Sequence, residues 1–395
     1  MAKALRVLFV ERSVEGTIGG SHHSLYQMIV GLMSKGVEPV VVFYEQNHVA
    51  EELKKIGCDV HFFGRTKKVR LFGSKYKKSS IFRLTNSFLT LLKFLVLDGS
   101  KYKKWLCKND ISLVHLNNNP FSIEWVSAAK RARIPCVAHQ RGARNRLDRS
   151  EIYLANTVDR VVCISKYVRD SLRSSGCAGN NFELVYNGID VQSFRAGAYE
   201  KGKCTGLERK EGRVIVGLVG NIKPWKGQHI LIEALKAIVD RDQDVFCVFV
   251  GAFETSNTVY EESLKAKISD YGLSDRVLFT GYTPFVKNYM ANMDIVVHAS
   301  TDPEPFGRVI IEAMALEKPV IATRGGGASE ILEHEVTGVL IAPSDPEVLA
   351  STLIDLINDT DKRCYLAKNA YRRVNESFSI DANVKKISEI YSLLM

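Results

Sequence analysis

Short runs of β-branched and aromatic residues alternate with amphipathic stretches through the first half of the chain. Residues 5–10, 39–44, 60–63, 113–116, 136–139, 161–164 and 183–185 read as strands. Residues 24–34, 49–56 and 123–132 read as helices, and a long helical region fills the space between the third and fourth strands. Strands separated by helices in this order imply a parallel sheet covered on both faces. Asn187-Gly188-Ile189-Asp190 closes the series as a turn. A loose stretch from 195 to 212, rich in Gly and Lys, follows. Alternation then restarts, with strands at 214–219, 245–251, 277–280, 295–298, 320–322 and 339–342 and helices at 227–239 and 261–271. The second half is therefore a second doubly wound domain. Ligands of such sheets bind outside the carboxyl ends of the strands, and two facing domains would hold the site in the cleft between them.

Length and composition agree. At 395 residues the chain exceeds one ordinary core, and 46% hydrophobic with 25% charged residues places it among globular rather than disordered chains. Eight cysteines are scattered without a C-x-x-C pair or a His at metal spacing, so neither a structural disulfide nor a zinc site is expected. The apolar run at 4–10 leads into Glu11 and Arg12 without a small-residue cleavage pattern, so it reads as a buried strand and not a signal peptide. No stretch reaches the ~18 apolar residues of a spanning helix. The expected location is the cytoplasm.

Charge is uneven. Residues 1–200 carry 31 Lys and Arg against 17 Asp and Glu, while residues 201–395 carry 23 against 27. The excess concentrates between Arg65 and Arg149, where Arg65-Thr66-Lys67-Lys68-Val69-Arg70 and Lys75-Tyr76-Lys77-Lys78 precede an apolar stretch at 88–97, and Lys101, Lys103 and Lys104 follow it. Basic residues beside an amphipathic helix suit an anionic lipid surface. A helix packed on the sheet with solvated charges, or a grip on a polyanionic saccharide, fits the same pattern. No nucleic-acid motif or aromatic stacking box accompanies the charge, so nucleic acid ranks last as a partner.

The chemistry concentrates in Asp302-Pro303-Glu304-Pro305-Phe306-Gly307-Arg308-Val309-Ile310-Ile311-Glu312. A strand ends before it, a loop carries Glu304, and a helix opens at Gly307, with Glu312 one and a half turns in. The backbone N–H groups of Gly307, Arg308 and Val309 then make an anion site that glycine leaves uncrowded. A carboxylate on each side of a phosphate cradle suits a sugar at Glu304 and a ribose at Glu312, which describes a nucleotide sugar.

That block, followed by K-P-V-I-A-T-R-G-G-G-A-S-E-I-L and T-G-V-L-I-A-P, resembles the donor-site signature of retaining GT-B glycosyltransferases of family 4, and the likeness extends over nearly the whole chain. The resemblance implies two Rossmann-like domains: an acceptor domain at 1–195, a linker at 196–212, a nucleotide-sugar domain at 213–378, and a helix at 379–395 crossing back to the first. It also implies further site residues. Gly19, Gly20 and Ser21 form a glycine-rich loop before the first helix. Lys226, in Gly220-Asn221-Ile222-Lys223-Pro224-Trp225-Lys226-Gly227, neutralises the departing diphosphate. His139 contacts the donor sugar, and the loop at Gly281-Tyr282 reads the base through its backbone. Gly325-Gly326-Gly327 and Glu330 either pack behind the sugar or form a structural turn.

Two positions depart from the family pattern. Asn221 stands where the family usually has Arg, which leaves the second positive charge to Lys223 or Arg308, and Gln140 replaces an acidic residue beside His139. Arg141 and Arg144 are candidates for an anionic acceptor. The expected reaction is transfer of a sugar from a UDP- or GDP-linked donor to a hydroxyl of a saccharide or lipid-linked acceptor, with retention and no cofactor. No D-x-D metal motif is expected, so charge neutralisation falls to protein groups and no metal is assigned. A sugar-nucleotide epimerase of the same fold, or a binding protein without turnover, is the alternative.

Overall fold

The computed structural model describes residues 4–12, 20–64, 97–118, 121–200, 202–207, 210–253 and 258–395. Gly19 and most of the basic region, residues 65–96, lie outside these. The chain divides into two compact units, Met1–Tyr186 with Asn383–Met395, and Asn187–Ala382.

Unit 1 is built on β1 (Leu5–Glu11), β2 (Val37–Phe43), β3 (Asp59–Phe62), β4 (Leu113–Asn117), β5 (Cys136–Gln140), β6 (Arg160–Cys163) and β7 (Phe182–Leu184). They lie in the order β3-β2-β1-β4-β5-β6-β7, every pair parallel. Val7, Leu8, Phe9 and Val10 are successive and all essentially unexposed, so both faces of β1 are covered. That is why these strands read as unbroken apolar runs. The order reverses between β1 and β4, the switch point at which such sheets leave a crevice.

The helix Ile380–Leu394 ends in this unit and buries Val384, Ile387, Ile390 and Tyr391. Gly31, in the helix Gly20–Met33, admits it: a Cβ there would stand 2.4 Å from Val384 Cγ2. The first helix begins at Gly20, four residues before the apolar pattern predicts, so Gly20 and Ser21 form its first turn and not a loop. Gly-Ser-His-His shows no apolar stripe, yet Ser24 Oγ donates to Gly20 O at 2.9 Å and His22 is buried.

Unit 2 repeats the plan with β8 (Val214–Val219), β9 (Val245–Val250), β10 (Val277–Phe279), β11 (Ile295–His298), β12 (Val320–Thr323) and β13 (Val339–Ile341), ordered β10-β9-β8-β11-β12-β13 and all parallel. Its switch point lies between β8 and β11. Residues 187–200 and 202–207 count with this unit and are fastened to it. Asn288 Nδ2 donates to Gly197 O at 2.7 Å, Tyr289 OH to Thr205 O at 2.9 Å, and Arg195 Nη1 to Ala315 O at 3.1 Å. Cys163 and Cys247 are buried in the two sheets. Among the described residues, no helix is long and apolar enough to cross a membrane.

Candidate active site

In unit 2 the polar groups gather at the carboxyl ends of β8 and β11. After β8 the chain passes Asn221, which is exposed, and the half-buried Lys223, then makes a 3-10 turn, Pro224–Lys226, before the helix Gln228–Val239. Gly227 joins turn to helix at φ +72°, and a Cβ there would stand 1.9 Å from Ala299 O. Only glycine allows this approach of backbone to backbone. Thr301 N donates to Trp225 O at 2.9 Å, which staples the turn to the segment following β11.

The staple brings Lys226 to Glu304, although 78 positions separate them. Lys226 Nζ lies 2.8 Å from Glu304 Oε2 and 4.2 Å from the centre of the Trp225 ring. His298 Nε2 meets the same oxygen at 2.5 Å, and Ser300 Oγ at 3.4 Å. Oε2 thus takes three donors while Oε1 takes none from the described residues. Burial alone would raise the Glu304 pKa, but His298 and Lys226 outweigh it and hold the carboxyl well below the usual range. A carboxylate so stabilised is a weak base and a poor nucleophile, but a good acceptor of hydrogen bonds.

The loop carrying Glu304 is braced from behind. Gly327 N donates to Glu304 O at 2.8 Å, and a Cβ on Gly326 would stand 2.1 Å from that same oxygen. The glycine run after β12 therefore acts as backing for the Glu304 loop. Phe306 is buried against Phe378, ring centroids 6.2 Å apart, so its side chain wedges the loop from inside. Gly307, at φ 105° and ψ 56°, heads the helix Arg308–Ala315. The first N–H groups of that helix have no partner within it. One turn on, Arg308 Nη2 and Glu312 Oε1 pair at 3.0 Å. Burial raises the Glu312 pKa, and Arg308 offsets this only in part. Val309 is half-buried, and Tyr282 is 82% exposed.

The expectation that the chain lacks a D-x-D motif needs correction, because Asp240-Arg241-Asp242 and Asp242-Gln243-Asp244 have that spacing in this unit. Asp240 pairs with Lys236, while Asp244 binds Arg213 and Arg276 just before β9 begins, at the opposite ends of the strands from Glu304.

In unit 1 the counterpart is a buried chain of polar side chains at the ends of β1, β4 and β5. Asn117 Nδ2 donates to Glu11 Oε2, and Arg141 Nε donates to Asn117 Oδ1 at 2.7 Å. Arg141 Nη2 lies 3.5 Å from His139 Nδ1, and His115 Nε2 lies 3.1 Å from that nitrogen. His139 is unexposed, and its Nε2 has no partner among the described residues. Burial, then Arg141 and His115, drive its pKa well below the ordinary value, so it is neutral. Arg144 sits apart: its N–H donates to Ser171 Oγ at 3.1 Å and its guanidinium is 3.9 Å from Glu151. Ser21 Oγ accepts from Asn118 Nδ2 at 3.4 Å.

Sequence reasoning missed His298, Ser300, Glu11, Asn117, His115 and Tyr391. Four of them share one signal, a polar residue at or just beyond the carboxyl end of a strand otherwise made of apolar residues.

The sequence profile of glycosyl transferases group 1 matches residues 205–373, and that of Glycosyltransferase Family 4 matches residues 18–193. Over 287 residues the chain is 27% identical to the lipopolysaccharide core biosynthesis mannosyltransferase LpcC of Rhizobium leguminosarum bv. viciae, covering 72% of this chain and 75% of that protein. Over 248 residues it is 29% identical to the capsular polysaccharide biosynthesis glycosyltransferase CapM of Staphylococcus aureus, covering 60% and 62%. The crystal structure of Anabaena Alr3699/HepE in complex with UDP is similar at a TM-score of 0.79 and 26% identity, covering 98% of this chain and 99% of that one. The same Anabaena protein has been solved with UDP-glucose. Two doubly wound parallel sheets with these likenesses define a glycosyltransferase of GT-B fold. Within that class, the chain belongs to the glycosyl transferases of group 1, family 4.

Proposed function

We propose that this enzyme moves a hexosyl group from a nucleoside diphosphate sugar to a hydroxyl of a saccharide or lipid-linked acceptor, with retention of configuration and without a metal, in cell-envelope polysaccharide or glycolipid assembly. One observation carries the reading. Glu304 has one carboxylate oxygen saturated by Lys226, His298 and Ser300 and the other unengaged by any of the described residues. Oε1 is then the acceptor for donor-sugar hydroxyls. Lys226 spends one of its three N–H donors on Glu304, and the others can face the leaving diphosphate, together with the amides of Gly307, Arg308 and Val309.

Glu312, oriented by Arg308, takes the ribose hydroxyls. Lys223 and Asn221 border the phosphates, and the backbone at Tyr282 meets the base. We assign Gly20, Ser21 and His139 to donor binding as well, and Arg141 and Arg144 to the acceptor; Gly19, expected to act with them, lies outside the described residues. The depressed basicity of Glu304 supports front-face attack assisted by the leaving phosphate over a covalent glycosyl intermediate.

The UDP-glucose complex of HepE supports a uridine donor for this chain, and the naming of LpcC as a mannosyltransferase supports mannose. A thermal-shift panel of UDP-glucose, UDP-galactose and GDP-mannose separates them, because a ligand that binds only the folded state raises its melting temperature. Release of nucleoside diphosphate that requires an acceptor then distinguishes transfer from epimerisation. A panel in which no nucleotide sugar raises the melting temperature would defeat the assignment. For the acceptor side, the exposed Lys101, Lys103 and Lys104 on the helix Gly99–Lys108 support contact of the basic region 65–104 with an anionic membrane surface, on the cytoplasmic face.

A further inference from the structure

The buried chain of unit 1 has a direction, and that direction can be worked out. Tyr391 OH lies 2.6 Å from His115 Nδ1, and His115 Nε2 lies 3.1 Å from His139 Nδ1. Each contact needs one proton, so two patterns are consistent. In the first, Tyr391 donates to His115, His115 donates to His139 Nδ1, and the remaining His139 proton sits on Nε2. In the second, every bond is reversed and His139 Nε2 is a bare acceptor.

Arg141 breaks the tie. A guanidinium carries only donors. Its Nη2 lies 3.5 Å from His139 Nδ1, so a proton on that nitrogen would point at another N–H. Arg141 is itself fixed by Asn117, which is bonded to Glu11, and cannot turn away without breaking those contacts. Only the first pattern survives. Neither ring is cationic, since burial followed by Arg141 lowers the His115 pKa to about 3 and likewise depresses that of His139.

We propose that Tyr391, on the C-terminal helix, and His115 are positioning residues that hold His139 as a fixed Nε2–H donor toward substrate oxygen. The inference rests on the assignment of His139 to the donor sugar and adds to it the polarity of that contact and the residues that impose it. Both ends of the chain support it. Tyr391 is buried against the His115 ring at 79°, with centroids 5.9 Å apart, so its hydroxyl is held in place. At the other end, His139 Nε2 is buried and unpartnered among the described residues. A buried N–H without an acceptor is costly, and a ligand oxygen relieves that cost.

Long-range 1H–15N correlation spectra of the full-length protein labelled with 15N-histidine read the tautomers directly, without ligand. The wild type should show His139 and His115 both neutral and both protonated on Nε2. His139 protonated on Nδ1 would overturn the proposal. Tyr391→Phe removes the first donor and keeps the ring. Arg141 still holds His139 as the Nε2–H tautomer, so the change should fall on His115, whose Nδ1 resonance should move toward that of an unbonded acceptor nitrogen. In the same variant kcat should fall about tenfold, the worth of one hydrogen bond, and the melting temperature should drop modestly because a buried nitrogen loses its partner. Unchanged spectra together with unchanged kcat would refute the relay. Arg141→Met provides a second spectroscopic test: with the tie-breaker gone, both tautomers should appear, and a population still wholly Nε2–H would refute the role given to Arg141. If the tautomers are as stated but His139→Ala leaves turnover intact, the relay stands and the assignment of His139 to the sugar fails.

Discussion

Glu304→Gln is the most informative single substitution, because it preserves shape and inverts one hydrogen bond. The amide oxygen of Gln can take the place of Oε2 and still accept from His298 at 2.5 Å and Lys226 at 2.8 Å. Its NH2 group then occupies the position of Oε1, where the native carboxylate presents an acceptor. Two losses follow, and they can be measured apart. For catalysis, a hydrogen bond from a sugar hydroxyl to a charged acceptor is worth about 1.5–3 kcal/mol, which corresponds to a fall in kcat/KM of about 10–150-fold. For folding, the Lys226 ammonium loses its counter-charge in a site where the two side chains are 13% and 17% exposed. The amide still satisfies part of it, so the cost is about 1–2 kcal/mol rather than the 3–5 kcal/mol of a fully buried, broken pair. Urea titration gives the second quantity, and nucleoside diphosphate release with the donor identified by thermal shift gives the first. A folded variant with kcat/KM within threefold of wild type would show that Glu304 does not receive the sugar.

Lys226→Met should lower kcat by about 10²–10³-fold while leaving Glu304 bonded to His298 and Ser300, and a change confined to the acceptor KM would contradict its place at the diphosphate. Gly227→Ala sets a Cβ 1.9 Å from Ala299 O at φ +72°, so it should destabilise the fold by at least about 3 kcal/mol in urea, and a neutral result would mean that the turn does not approach the strand end as described. The folded-state pKa of Glu304 lies below its ordinary 4.5, so its ionised form contributes stability above about pH 4.5, and that contribution is lost as the pH falls toward the folded value. The stability advantage of wild type over Glu304→Gln should therefore be steady above about pH 5 and shrink on acidification to pH 3. An advantage that grows would reverse the sign of the argument. Replacing Lys101, Lys103 and Lys104 together with Gln should weaken sedimentation with phosphatidylglycerol vesicles, and unaltered binding would remove this helix from any membrane contact.

The sheets were legible because strands buried on both faces are continuous apolar runs, and the parallel order followed from the helices between them. Helix starts were less so, as at Gly20, where polar residues and glycine hide the first turn. At the site, the residue types could be read but not their pairing. Sequence reasoning sends Lys226 to a diphosphate and Glu304 to a sugar, whereas in the structure they hold each other across 78 positions, an approach that depends on Gly227 and on β8 lying beside β11. The Arg308–Glu312 pair could be read from its four-residue spacing, since i and i+4 share a helix face. His298 reads as the last residue of a strand, and His115 and Tyr391 are 276 positions apart, so no local pattern carries their contact.

The polarity of the two buried clusters narrows what they can recognise. In unit 2, Glu304 offers an acceptor oxygen whose twin is already saturated. In unit 1, His139 offers a donor nitrogen with no acceptor among the described residues. Taken each by itself, the first calls for a donor, which a phosphate oxygen is not, because a carboxylate accepts hydrogen bonds and gives none, and the second calls for an acceptor. A hydroxyl donates and accepts at once, and a pyranose carries several in fixed directions. Lys226 keeps one Glu304 oxygen occupied, so that on the proposed reading only the other meets a hydroxyl, and it keeps two further N–H groups that this reading turns toward the diphosphate.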